Sequence, residues 1–250
     1  MLEPAPVPPG GGGASPPRAG GVSGGRSAAA DGSGGLNLGL HVQDDEDRVL
    51  VNRELLGRQL GSRVAWMDQR HTARVQVVTR EPGDGRTAEG ECDALVGRRS
   101  GPRTPAIAVM VADCVPLLLA TLDGGLVAAV HVGRQGLADG VVPATLATLA
   151  REGAAVPDLY AALGPSICGR CYEVPADLRA EVAAVVPAAS GTTAWGTPAL
   201  DIPAGVVAQL TAAGVRRVQR TAACTREDER FYSFRRDGVT GRFVGVVRPA

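Results

Sequence analysis

Residues 112–131, "ADCVPLLLATLDGGLVAAVH", limit most strongly what this chain can become: an almost uncharged stretch with a cysteine near one end and a histidine at the other. Apolar segments run over 107–112, 116–121 and 126–131, and the longest apolar candidate for a membrane span, 106–122, is cut by Asp113. They read instead as strands. "LDGG", residues 122–125, carries the Asp and Gly that a tight turn favours, so the second and third segments form a hairpin. With Leu119 opposite Ala129, Leu117 faces His131. Cys114 then lies just past Pro116, a non-donor that suits the first position of a strand, and thiol and imidazole emerge at one end of the hairpin.

From residue 36 onward, strand-like and helix-like segments alternate. A capped, apolar-striped stretch at 44–60 stops at Gly61, as a helix should. Strands are expected at 63–67 and 73–79, helices near 139–151, 176–186 and 202–213, and short strands near 159–163, 217–222 and 243–248. Such mixing implies an α/β (α+β) fold, a single domain whose sheet is covered by helices, over residues 36–250. Residues 1–35 differ in kind. They hold 11 glycines and 6 prolines with almost no large apolar side chains, too little to offset the entropy of ordering, and a disordered tail is expected there.

Charge narrows the partners. All 26 basic residues are arginines, matched by 26 acidic ones and spread without a basic block, which argues against nucleic acid as the main partner. Neither a signal peptide nor a membrane partner is expected. Cys92, Cys114, Cys168, Cys171 and Cys224 are an odd number in a chain far larger than a disulfide-stapled scaffold, and they read as reduced thiols in a cytoplasm.

The chain has three histidines, His41, His71 and His131. Joined to Cys114, His71 and His131 make a zinc or copper set, and three protein ligands leave a fourth tetrahedral position open, as catalytic sites require. The plainer readings are a small buried thiol and a hydrogen-bonded core histidine. Asp113 and Asp93 are placed to orient a ligand histidine or to act as acid or base, against turn and cap roles. His41 is expected to bond near the first helix's N-terminus. "CGRC", Cys168 to Cys171, has the spacing of a redox pair or half a zinc site, but no second CxxC exists, so a local structural role is expected. Cys92 and Cys224 read as buried small residues.

The blocks "LNLGLHVQDDEDRVLVNRELL", "WMDQRHTARV", "CDALV", "VADCVPLLLA", "VAAVHVGRQGL", "LGPSICGRCYEV" and "FYSFRRDGVTGR" follow one another at the spacing seen in the laccase-domain or YfiH-type family. That family was once described as polyphenol oxidases and later as multifunctional purine nucleoside phosphorylases. The resemblance covers roughly residues 36–250, with a weaker echo in "RAGGVSGG". It implies a single domain of layered mixed β-sheets and one metal ion, Zn2+ or Cu2+, held by His71, Cys114 and His131. Two blocks depart from the family pattern: "QVHG" reads "QRHT" here, and "HAGWRG" reads "HVGRQG", with Arg134 and Gln135 where tryptophan and arginine are usual. The second change removes a guanidinium at 135 that could hold an anion.

The resemblance implies phosphorolysis of adenosine, inosine or methylthioadenosine, with adenosine deaminase side activity. Nucleoside and phosphate would be the partners. His71, Cys114, His131 and Asp113 are the candidate catalytic residues, and Arg134, Arg235 and Arg242 the candidate substrate-binding residues. Two other classes remain open from the residues themselves: a Cys–His amide hydrolase acting on a cell-wall precursor through a Cys114 nucleophile, and a non-catalytic divergent member.

Overall fold

Asp45 and Gly61 explain where the first helix begins and ends. In a computed structural model that describes residues 35–250 except Arg80 and Pro102, α1 (Glu46–Leu60) starts where the Asp45 carboxylate accepts the Arg48 N–H at 2.9 Å. It stops at Gly61, whose φ of 59° lets its N–H turn back to the Arg58 carbonyl. The tail expected at 1–35 lies, residue 35 apart, outside the described residues.

The next strands are β1 (Val64–Ala65), β2 (Val75–Val78), β3 (Ala94–Arg98), β4 (Ala106–Val111), β5 (Val115–Ala120) and β6 (Leu126–Val132). After them come α2 (Arg134–Asp139), α3 (Val141–Arg151), β7 (Tyr160–Leu163), α4 (Ala176–Val185), β8 (Ser190–Thr192), β9 (Pro198–Leu200), α5 (Ile202–Ala212), β10 (Arg217–Arg220), α6 (Phe234–Asp237) and β11 (Phe243–Val247). Most expected elements fall within two residues of their places. The segment at 139–151 differs: Gly140, at φ 85°, ends α2 and separates it from α3. The strand β3 and the β8–β9 hairpin were not expected.

Two sheets carry the fold, in strand orders β1-β4-β11 and β10-β7-β5-β6-β3-β2, with β8-β9 as a separate pair. Because side chains alternate along a strand, β4 sends Ala106, Ala108 and Met110 to α1, Leu38 and Trp66, and Ile107, Val109 and Val111 against the larger sheet. From that sheet Leu95, Leu118, Val127 and Ala129 answer across the gap. Its other face sends Val115, Leu117, Leu119, Ala128 and Val130 to residues of α3 and α5. The order of layers is thus helix, three-stranded sheet, six-stranded sheet, helices. Strands covered on both faces have no polar face, which is why the 106–132 stretch is so uniformly apolar.

The hairpin register differs from expectation by one residue. Leu119 pairs with Ala128, Leu118 with Ala129, and Pro116 with His131. The turn explains the shift: Thr121 N donates to the Leu126 carbonyl, the Thr121 hydroxyl accepts the Leu126 N–H at 3.0 Å, and Asp123 accepts the Gly125 N–H. All four residues of "LDGG" therefore stay in the loop. A one-residue shift changes which β5 residues share a face with His131: Pro116 and Leu118 stand there instead of Leu117 and Leu119, beside Val127 and Ala129 of its own strand, in the layer between the two sheets. Pro116 stands second in β5 rather than first. It is tolerated there because His131 sends its N–H to the Asp93 carbonyl, so the pair asks no donor of the proline.

Among the described residues no helix is long and apolar enough to cross a membrane. Asn37, only 3% exposed, joins the segment before α1 to the end of the chain: its side chain accepts from Gly39 N and Arg242 N and donates to Asp44. Asn37→Ala leaves those buried groups unpaired and should cost about 1–3 kcal/mol. Urea unfolding checks this, with the midpoint falling at unchanged m; an unmoved midpoint would refute the role.

Candidate metal centre

A buried carboxylate builds this site. Asp93, 0% exposed and immediately before β3, accepts the consecutive backbone N–H groups of Arg70 (3.2 Å), His71 (2.9 Å) and Thr72 (2.7 Å), the Thr72 hydroxyl (2.8 Å) and His131 Nδ1 (2.8 Å). His71 lies at φ 60°, the left-handed twist that lets successive N–H groups curl around one anion. Burial alone would raise the Asp93 carboxyl, but the bonds from His131 and Thr72 outweigh it and hold it at about 2. Of the two aspartates weighed from sequence, Asp93 is thus the one bonded to a candidate ligand histidine.

With Nδ1 on Asp93, His131 is left with Nε2 to offer, and its buried ring meets the His71 ring edge-on at 4.6 Å. His71 Nε2 lies 3.8 Å from Cys114 Sγ, and one donor atom from each of His71, Cys114 and His131 lies within 4.8 Å of the others. Burial would push the Cys114 thiol up, yet the charge and hydrogen bonds of His131 and His71 bring it to about 6. Burial would lower His131, but the Cys114 and Asp93 charges carry it to about 9. Thiolate and imidazolium thus favour one another at this point. A divalent cation held by the three donors would serve as the thiolate's countercharge in place of the imidazolium proton.

Gly133 completes the cradle. A Cβ there would stand 2.5 Å from His71 Cδ2 and 3.3 Å from Cys114 Sγ. Nothing in the pattern of apolar residues announces this glycine, because the groups it makes room for come from two other segments.

A pocket of about 410 Å³ opens over the three donors, a volume suited to a small metabolite. Arg134, Arg235 and Arg242 all line it, with Tyr172, Phe234 and Gln69. The Arg235 guanidinium stacks 5.0 Å from the Tyr172 ring, and Arg242 Nη1 is tied to the Thr240 and Gly241 carbonyls. His41 lines the same pocket, and Gln69 fastens its amide to both the N–H and the carbonyl of Met110 in β4. Asp113 reaches the wall at φ 96°. Its carboxylate accepts the Thr225 hydroxyl and the Arg235 N–H, both at 2.6 Å, so it acts there as a strut between segments.

The two altered sequence blocks have local explanations. Arg70 points to Asp68, and its position serves Asp93 through a backbone N–H that any residue but proline supplies, while Thr72 adds a hydroxyl. Gln135 bonds Asp139 along α2 and is exposed, so the guanidinium absent at 135 is not missing from the pocket wall, where Arg134 stands.

Comparison with known proteins follows the same lines. Residues 14–249 match the family model described as multi-copper polyphenol oxidoreductase laccase. A purine nucleoside phosphorylase of Streptomyces coelicolor is 50% identical over 215 residues, 85% of this chain and 87% of its own. One of Corynebacterium glutamicum is 42% identical over 214 residues, 84% and 85% respectively. Among solved structures, YlmD of Geobacillus stearothermophilus has a TM-score of 0.81 at 31% identity, covering 92% of this chain and 91% of its own. The resemblance carried by the seven sequence blocks and the mixed α/β fold it implied are both borne out.

Gly133→Ala should abolish metal binding at this centre without unfolding the sheets; a variant that still binds the ion through Cys114 would refute the steric argument. Asp93→Asn, which keeps the shape but loses the charge, should weaken metal affinity about ten- to a hundredfold in a chelator competition. Unchanged affinity would show that the carboxylate does not tune the ligands.

Proposed function

This chain belongs to the multi-copper polyphenol oxidoreductase laccase family, and on that premise we propose that it is a metal-dependent purine nucleoside phosphorylase. It would convert adenosine, inosine or methylthioadenosine and phosphate to the free purine and a ribose 1-phosphate. The observation that carries this reading is a pocket lined by Arg134, Arg235 and Arg242 together with His71, Cys114 and His131. Relatives named purine nucleoside phosphorylase support the substrate class. The ion is zinc or copper, the metals that suit one thiolate and two imidazoles.

When bound, the ion supplies a Lewis acid that can polarise a substrate atom or acidify a water. The remaining work falls to side chains. Phosphate brings negative charge into a partly enclosed space, and Arg134, Arg235 and Arg242 offer planar forks that match its oxygens. Held there, a phosphate oxygen bonds to C1′ as the C1′–N9 bond breaks, and the electron pair leaves with the purine, which takes up a proton. Tyr172 and Phe234 offer aromatic faces on which a planar base can stack. Adenosine deamination is the side activity of the same site: water adds at C6 and ammonia departs, with no anion to hold.

Chromatography of adenosine with the metal-loaded protein tests this. Adenine and ribose 1-phosphate should appear only with phosphate, and inosine with or without it. Arg134→Ala should raise the phosphate KM and lower phosphorolysis about ten- to a hundredfold, the worth of one charged hydrogen bond, with deamination nearly unchanged. Cys114→Ser should lose both reactions together with the metal. Folded, metal-loaded protein that releases no base in phosphate rejects the reading. An activity that survives removal of the metal but not alkylation of Cys114 would favour the amide hydrolase instead.

A further inference from the structure

A second group of soft ligands lies behind the pocket wall. Cys168, Cys171, Cys224 and Glu227 each have a donor atom within 4.8 Å of all the others. Two turns of the same form bring them together. In "CGRC" the N–H groups of Cys171 and Tyr172 both return to the Cys168 carbonyl; in "CTRE", residues 224–227, those of Glu227 and Asp228 both return to the Cys224 carbonyl. Each turn sets its first and fourth side chains toward one point. The turns are joined by a bridge between Ser166 and Cys224, by Thr225 N on the Ser166 carbonyl, and by Cys168 N on Cys224 Sγ at 3.4 Å.

Local chemistry suits a cation better than a plain core. Ile167, Cys171 and Cys224 form their own small buried cluster, with Cys168 and Tyr172 partly buried beside it, so thiols make up most of the side-chain packing at the point where two irregular connections meet. Those connections, 164–175 and 221–233, are each about a dozen residues without helix or named strand, a length at which loops usually need an anchor. All three thiols are free, and Cys171 Sγ lies 3.3 Å from Glu227 Oε1. Gly169 is required as well: a Cβ there would stand 2.5 Å from Asp201 Cβ. Arg170 and Arg226 lie within the two turns, the Arg226 guanidinium over the Trp195 ring.

We infer that Cys168, Cys171, Cys224 and Glu227 hold a second metal ion, a structural zinc. Four protein ligands close the tetrahedron, unlike the three at the first centre, and sulfur atoms around zinc stand about 3.8 Å apart, within the spread seen here. Binding displaces the thiol protons to solvent. The ion ties together the two segments that build the pocket wall: Ile167 N donates to the Asp113 carbonyl, Thr225 bonds the Asp113 carboxylate, and Tyr172 lines the cavity. Its role is to hold that wall, not to meet substrate.

Metal analysis of full-length protein loaded with zinc alone under reducing conditions tests the inference. Wild type should hold two zinc ions per chain, Cys114→Ser one and Cys171→Ser one. In Cys114→Ser, where the first centre lacks its thiolate, cobalt should still give a strong thiolate-to-cobalt charge-transfer band. Glu227→Ala, at the exposed edge, guards against a Cys171 variant that fails to fold; it should bind the second ion about ten- to a hundredfold more weakly. Folded Cys114→Ser that stays zinc-free and lacks the cobalt band overturns the inference, as does a disulfide among Cys168, Cys171 and Cys224 in protein purified anaerobically. Zinc lost in Cys171→Ser but unchanged in Cys114→Ser would reject the first centre and leave the second standing.

Discussion

The Asp93 carboxylate is the constraint on which the rest of the site depends. Buried without solvent, it is tolerable only because a run of N–H groups, a hydroxyl and an imidazole meet it at 2.7–3.2 Å. In meeting it, they set the left-handed turn at His71, the orientation of His131 and the distance of both rings from Cys114. One charge thereby aligns two of the candidate ligands, His71 and His131, from segments far apart in the chain. Removing it would leave several donors unpaired at once, which ties the geometry of the centre to the stability of the fold around it.

Layering decides where that centre can be. Between the two sheets the interior is apolar from Ile107 to Phe243, and His131 continues the row of Val127 and Ala129 on the same face of β6. The candidate metal donors therefore gather at an end of the inter-sheet layer, where the packed core gives way to a pocket. Residues 71–131 supply the donors and residues 172–242 most of the aromatic and cationic wall, Tyr172, Phe234, Arg235 and Arg242. Asp113 joins the two parts through Thr225 and Arg235, and a zinc at Cys168, Cys171, Cys224 and Glu227 would fix the wall from behind.

Much of this was legible in the residues. The cap at Asp45, the stop at Gly61 and the apolar runs of β4, β5 and β6 are local signals, and the elements stand within two residues of where those signals put them. The hairpin register was missed because the Thr121 hydroxyl, in place of a carbonyl, closes the turn one residue wider. The strand β3 shows only Ala94, Leu95 and Val96 as an apolar run before Gly97 and Arg98 interrupt it. Gln135 looked like a charge lost from the site, but the helical turn that follows Gly133 points it at Asp139 instead.

By itself the sequence determined the class of the fold, the order of most of its elements and, through the resemblance of seven blocks, the candidate trio His71, Cys114 and His131, because apolar period, turn chemistry and block order are carried by neighbouring residues. Only the tertiary structure decided that Asp93 is the shared anchor, that Gly133 must lack a side chain, and that Cys224 and Glu227 meet the "CGRC" turn 56 residues away. The reason is physical. Spacing along a chain measures local backbone preference, whereas the meeting of distant polar groups depends on how two sheets and their connecting loops pack, and no short pattern encodes that sum.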